Sequence, residues 1–146
     1  MFDLVIKNGW ILTMDEDYTE YKNGYVGIKD GKIVEVGLKG ENLEAKEVID
    51  ANGNIVLPGF INTHTHAAMT LLRGYGSDNP LKVWLEQYIW PVEGKFVSYE
   101  FVKDGTDIAC YEMLRNGITC FVDMYFYENA VADAVKTAGM RAVLTT

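Results

Sequence analysis

Pro58-Gly59-Phe60-Ile61-Asn62-Thr63-His64-Thr65-His66 is the stretch on which the reading of this chain turns, because it holds the only two histidines among 146 residues. They stand at i and i+2. In an extended strand successive side chains alternate faces, so His64 and His66 point the same way, one pleat apart. An apolar run, Phe60-Ile61, lies behind them and places both at a strand end. Two imidazoles side by side supply half of a divalent-metal site, since catalytic zinc takes three protein ligands and a reactive water. The bland alternative is a pair of hydrogen-bonded, inert histidines on one strand face.

Upstream of Pro58 the chain reads as short strands joined by tight turns. Asn8-Gly9 separates Leu4-Val5-Ile6 from Trp10-Ile11-Leu12, and Asp30-Gly31 separates Tyr25–Ile28 from Ile33–Val36. Both dipeptides predict hairpins, because a two-residue loop needs positive φ at each central residue. Asn52-Gly53 is flanked by Glu47–Asp50 and Ile55–Leu57. Residues 1–57 are therefore expected to form a small β-sandwich or β-sheet domain.

Downstream the periodicity changes. Phe60–His64 is a strand, and Leu81–Tyr88 has helical spacing that Pro91 is expected to stop. Ser98 is placed to cap a helix carrying Val102, Ala109 and Met113, and Gly117 sits where a helix ends. Ile118–Met124 is a buried strand, 129–138 a helix closed by Gly139, and Met140–Leu144 begins a third strand. Strand, helix, strand, helix, strand is the pattern of a parallel sheet. The third strand meets the end of the chain with no helix to cover it, so either residues 58–146 close unusually or they are the front part of something longer.

Composition narrows the function. The apolar share is 49% and the charged share 23%, the balance of a globular domain, and the net charge of −8 disfavours a phosphate backbone as partner. No nucleic acid is expected. Apolar runs such as Ile55–Leu57 are far short of the ~20 residues that span a bilayer, so no membrane is expected either. Cys110 and Cys120 read as two reduced thiols of a cytoplasmic protein. Arg73-Gly74-Tyr75-Gly76-Ser77 lacks the Gly-Lys-Ser/Thr ending of a phosphate loop.

The stretch 58–66, with Met69–Gly74, Trp84-Leu85-Glu86, Ile89–Glu93, Asn116–Thr119, Phe121–Tyr125 and Gly139–Ala142, resembles the amidohydrolase superfamily across nearly the whole chain. It is most similar to the S-adenosylhomocysteine and methylthioadenosine deaminases and the related chlorohydrolases. The resemblance implies a TIM-type (β/α)₈ barrel on a β-sandwich, with the site at the carboxyl ends of the barrel strands. It implies that His64 and His66 bind one divalent metal ion, zinc first, with iron or manganese as alternatives. It places Glu93 where a carboxylate accepts two hydrogen bonds from the ribose diol. Asp123 reads as a carboxylate behind the site, and Trp84 as core.

The function so implied is hydrolytic deamination of an adenosine-like nucleoside: adenosine, methylthioadenosine or S-adenosylhomocysteine. Alternatives are a guanine or cytosine deaminase, a triazine-type chlorohydrolase, or a non-catalytic fragment. A full barrel takes ~250 residues. The later metal ligands and the proton-shuttling carboxylates would then lie beyond Thr146, and no catalytic residue is identifiable within the chain. Where the subfamily often has an arginine for the substrate's carboxylate end, Thr146 stands instead. The partners expected are a small nucleoside and either a second copy or a complementing chain.

Overall fold

Two short turns with left-handed backbone organise the first 58 residues. The computed structural model describes residues 1–38 and 43–145, and they fall into two units, Met1–Pro58 and Gly59–Thr146. In the first unit, β2 (Glu20–Lys29) and β3 (Lys32–Leu38) form the expected hairpin. Asp30 and Gly31 both have positive φ, 51° and 70°, as that two-residue loop requires.

Asn8-Gly9 does something else. β1 (Phe2–Leu12) runs straight through it, and only Asn8 of the pair has positive φ. One left-handed residue makes a bulge, not a reversal, and the register of β1 against β2 shifts on both sides of Gly9. The hairpin expected there is corrected to a bulged long strand. β4 (Ala45–Asp50) and β5 (Ile55–Val56) then pair β1 in parallel, before and after the bulge respectively. The Asn52-Gly53 turn bridges the gap, with the Gly53 amide donating to the Asn8 carbonyl at 2.7 Å. The result is one sheet in the order β3-β2-β1-β4, with β5 also on β1.

The second unit is built on a parallel sheet of β6 (Phe60–Thr65), β7 (Ile118–Met124) and β8 (Arg141–Thr145), with β7 central. Helix α3 (Tyr99–Arg115) starts at Ser98, whose hydroxyl accepts from the Phe101 amide at 3.2 Å. Its buried positions, Val102, Gly105, Thr106, Ala109, Cys110 and Met113, fall at helical spacing and make one stripe. Helix α4 (Glu128–Ala138) buries Ala130, Val131, Ala134 and Val135 and ends at Gly139 with φ 70°. Phe121, fully buried on β7, lies in the core that these two stripes form.

Pro91 does not stop the helix before it. The helical path continues from α1 (Leu81–Val83) through a π segment, Trp84–Ile89, into α2 (Trp90–Phe96). A proline lacks an N–H and its ring collides with the carbonyl one turn back. Here the wider turn, in which the Trp90 amide reaches the Leu85 carbonyl, leads into α2, and Pro91 sits in its first turn, where its missing donor is not needed.

A 3₁₀ segment, Ala67–Leu72, follows β6 and presses against α3. At Gly105 a Cβ would stand 2.4 Å from the Ala68 carbonyl oxygen and 2.9 Å from its Cα, so only glycine permits the approach. Gly105→Ala is expected to destabilise the fold by about 1–3 kcal/mol, measured by chemical denaturation, despite its better helix propensity. Burial, with the charges of Asp107 and Asp123 adding, pushes the Cys110 thiol up to about 11. At pH 8 that thiol stays protonated, so a thiol-labelling reagent should leave Cys110 unmodified until the protein is unfolded.

Candidate metal and substrate site

Residues just past the carboxyl ends of parallel strands converge in open α/β sheets, and this is where the second unit gathers its polar side chains. β6 and β7 fall out of step between Asn62 and Thr65, where two residues of β6 face one of β7. His64 lies in that bulge, and its amide donates to Asn62 Oδ1 at 3.2 Å. His66 lies beyond the strand, at φ −128° and ψ 73°. The two rings are nevertheless neighbours: their centres are 5.2 Å apart and their planes meet at 80°. Strict strand alternation is not what joins them. A bulge and the turn into the 3₁₀ segment re-aim both rings.

His66 Nδ1 stands 2.6 Å from the Met124 carbonyl oxygen. A carbonyl only accepts, so Nδ1 carries the hydrogen and Nε2 keeps a lone pair. A metal-ligating imidazole is oriented in the same manner. The spacing fits as well: two imidazoles on one tetrahedral ion, at a Zn–N distance of about 2.0–2.1 Å, have centres ~5 Å apart. Two imidazoles do not complete a shell. Among the described residues no group of three or more His, Cys, Asp or Glu could hold an ion.

Asp123, fully buried on β7, takes the place expected of a carboxylate behind the site. Its Oδ1 lies 2.8 Å from the Thr65 hydroxyl and accepts from the Ala67 amide at 2.9 Å. These are the residues on either side of His66. The Thr65 hydroxyl is also 2.8 Å from the Val122 carbonyl. One carboxylate thus clamps the turn that presents His66.

Glu93, on α2, is half-buried, and its Oε1 accepts from the Tyr125 hydroxyl at 2.7 Å. Burial first, and then the neighbouring Glu93 carboxylate, raise the Tyr125 phenol above its ordinary range and keep it a donor. The Tyr125 amide donates to Glu128 Oε1 at 2.6 Å. Burial lifts the Glu128 carboxyl above the usual range; that amide bond opposes the shift and the Asp123 charge adds to it.

His66, Trp84, Glu93 and Tyr125 line one cavity of about 520 Å³, whose remaining walls include Met69, Leu81, Leu85 and Ile89. Trp84 is not closed core: its indole N–H donates to the Tyr75 carbonyl at 3.0 Å and it is half-buried on the cavity wall. His64 is not among the lining residues. Met124, the last residue of β7, and Tyr125 stand in the stretch Phe121–Tyr125 that carries the family resemblance, but no pattern in the sequence assigns either of them a role. Thr146 lies outside the described residues.

Residues 55–146 match the Amidohydrolase family. Over 145 residues the chain is 51% identical to a 5'-deoxyadenosine deaminase of Methanosarcina mazei, covering 99% of this chain and 33% of the relative. It is 48% identical to a 5-methylthioadenosine/S-adenosylhomocysteine deaminase of Thermodesulfovibrio yellowstonii, covering 96% and 33%. A zinc-bound adenosine deaminase structure from Xanthomonas campestris superposes with a TM-score of 0.92 at 38% identity, over 97% of this chain and 33% of that one. The chain spans about a third of the length of the curated relatives it matches. No described helix is long and apolar enough to cross a membrane.

Asp123→Asn keeps the shape but weakens the acceptor. Loss of the charge-assisted bonds to Thr65 and Ala67 should cost about 1–3 kcal/mol. It should also lower metal affinity about 10–100-fold, read by competition with a chromogenic chelator.

Proposed function

The chain belongs to the amidohydrolase family, and on that premise we propose that it serves a metal-dependent hydrolytic deaminase acting on an adenosine-like nucleoside. The activity proposed is that of the full-length protein. The single observation that carries the reading is the pair of imidazoles at a parallel-strand end, His66 with Nε2 open, beside a cavity that also holds Glu93. The relatives' names and the zinc in the Xanthomonas structure support it.

In this reading β6, β7 and β8 are the first strands of a (β/α)₈ barrel, and the sheet of residues 1–58 is a layer of the accompanying β-sandwich. His64 and His66 hold one divalent ion, with zinc the first choice and iron or manganese accepting the same donors. When bound, such an ion lowers the pKa of a coordinated water so that hydroxide is available near neutral pH. The Met124 carbonyl fixes the His66 tautomer, and Asp123 fixes its backbone. Trp84, Met69 and Leu85 offer apolar surface to a flat purine. Glu93 accepts hydrogen bonds from the two ribose hydroxyls. The proton transfers and the remaining ligands are assigned to residues outside this chain.

A second reading has an observation of its own. Phe60, Ile61 and Val143 on the parallel sheet are 58%, 64% and 56% exposed. Apolar side chains on a parallel sheet are ordinarily covered, which favours a piece that works only with further strands or a complementing chain.

The metal-loaded, full-length protein is expected to release ammonia from adenosine, 5'-deoxyadenosine, methylthioadenosine or S-adenosylhomocysteine. The 146-residue chain alone should release none. His66→Ala should cut kcat/KM by more than the roughly 10–100-fold typical of outer-shell changes and lower the bound metal with it. Unchanged metal content in that variant would refute the site. Release of chloride from a chlorotriazine, without ammonia from any nucleoside, would replace deamination by dechlorination.

A further inference from the structure

We propose that Tyr125 is the positioning residue for Glu93, and that its hydroxyl sets the preference of this site for a substrate bearing a ribose diol. The inference rests on the deaminase reading and adds a residue to it. Glu93 and Tyr125 are 32 positions apart and belong to different layers: Glu93 to helix α2, Tyr125 to the loop after β7. Their 2.7 Å bond is the polar contact that the cavity-facing side of α2 makes with that loop among the described residues.

A glutamate on a helix has three rotatable side-chain bonds and ordinarily wanders. Here a half-buried phenol takes one lone pair of Oε1. A carboxylate offers about four acceptor sites on its two oxygens, so Oε2 and the second site on Oε1 stay open to a pair of adjacent hydroxyls. The phenol is itself held. The Tyr125 amide donates to Glu128 Oε1 at the start of α4, and its ring centre is 6.3 Å from that of His66.

Residues 124 and 125 therefore grip both halves of the site. The Met124 carbonyl holds His66, and the Tyr125 hydroxyl holds Glu93. The strand end fixes the separation between the hydrolytic end and the diol-binding end. A substrate that fits both is a nucleoside, not a free base.

The test is Tyr125→Phe in the full-length, metal-loaded protein, which keeps the ring and removes only the donor. A ribonucleoside is compared with its 2',3'-dideoxy counterpart, both by turnover and by calorimetric binding. Releasing one rotamer-rich side chain should weaken ribonucleoside binding about three- to tenfold, with the change in KM rather than kcat. The dideoxy compound should bind as it does to the parent protein. In a Glu93→Ala background, where the acceptor is gone, Tyr125→Phe should add nothing further. A ribose preference undiminished by Tyr125→Phe overturns the inference and leaves the deaminase reading standing. So does an equal loss for both compounds, which marks a merely structural tyrosine. A parent protein that neither binds nor deaminates either nucleoside overturns both.

Discussion

A single buried carboxylate holds in place the turn that presents His66. Asp123 on the central parallel strand bonds the residues before and after His66. Without those bonds the amide of Ala67 would be a buried donor with no acceptor, which the interior does not tolerate. The clamp also dictates packing. For the 3₁₀ segment after His66 to lie where Asp123 can reach it, α3 must approach within van der Waals contact of the Ala68 backbone, and Gly105 is the residue that allows it. The site and the core of the second unit are in this sense one construction.

Its cost is visible in the acids that surround it. Glu128, at the start of α4, is pushed toward its protonated form by burial, and by Asp123 nearby. Asp123 Oδ2 and Glu128 Oε2 are buried with no hydrogen-bond partner among the described residues. Carboxyl groups crowded out of water reduce stability, and proteins concentrate such groups where function requires them. The apolar core of Phe121, Val102, Val131 and their neighbours offsets that cost.

Sequence and structure agree where local rules dominate. Ser98 caps α3, Gly139 closes α4, and Asp30-Gly31 turns a hairpin, each because a single residue's backbone or side chain has few alternatives. They part where a neighbour decides. Asn8-Gly9 has the composition of a hairpin turn, yet β4 and β5 lie in parallel along β1 and leave a long strand with a bulge there. Pro91 has the look of a helix stop, yet the π turn before it leads the path on into α2. Trp84 has the spacing of core, yet that wide turn begins at it and it lines the cavity.

The sequence by itself determined the three strands of the second unit, its helices α3 and α4 and the Asp30-Gly31 turn, because each depends on residues a few positions apart. Only the tertiary structure decided how the imidazoles of His64 and His66 are oriented, that Asp123 braces the turn bearing His66, and that Tyr125 reaches Glu93. Those contacts join residues 32 to 58 positions apart. Their partners are a backbone carbonyl, an amide and a phenol, groups that every chain has in plenty and that acquire a role only through where the fold puts them.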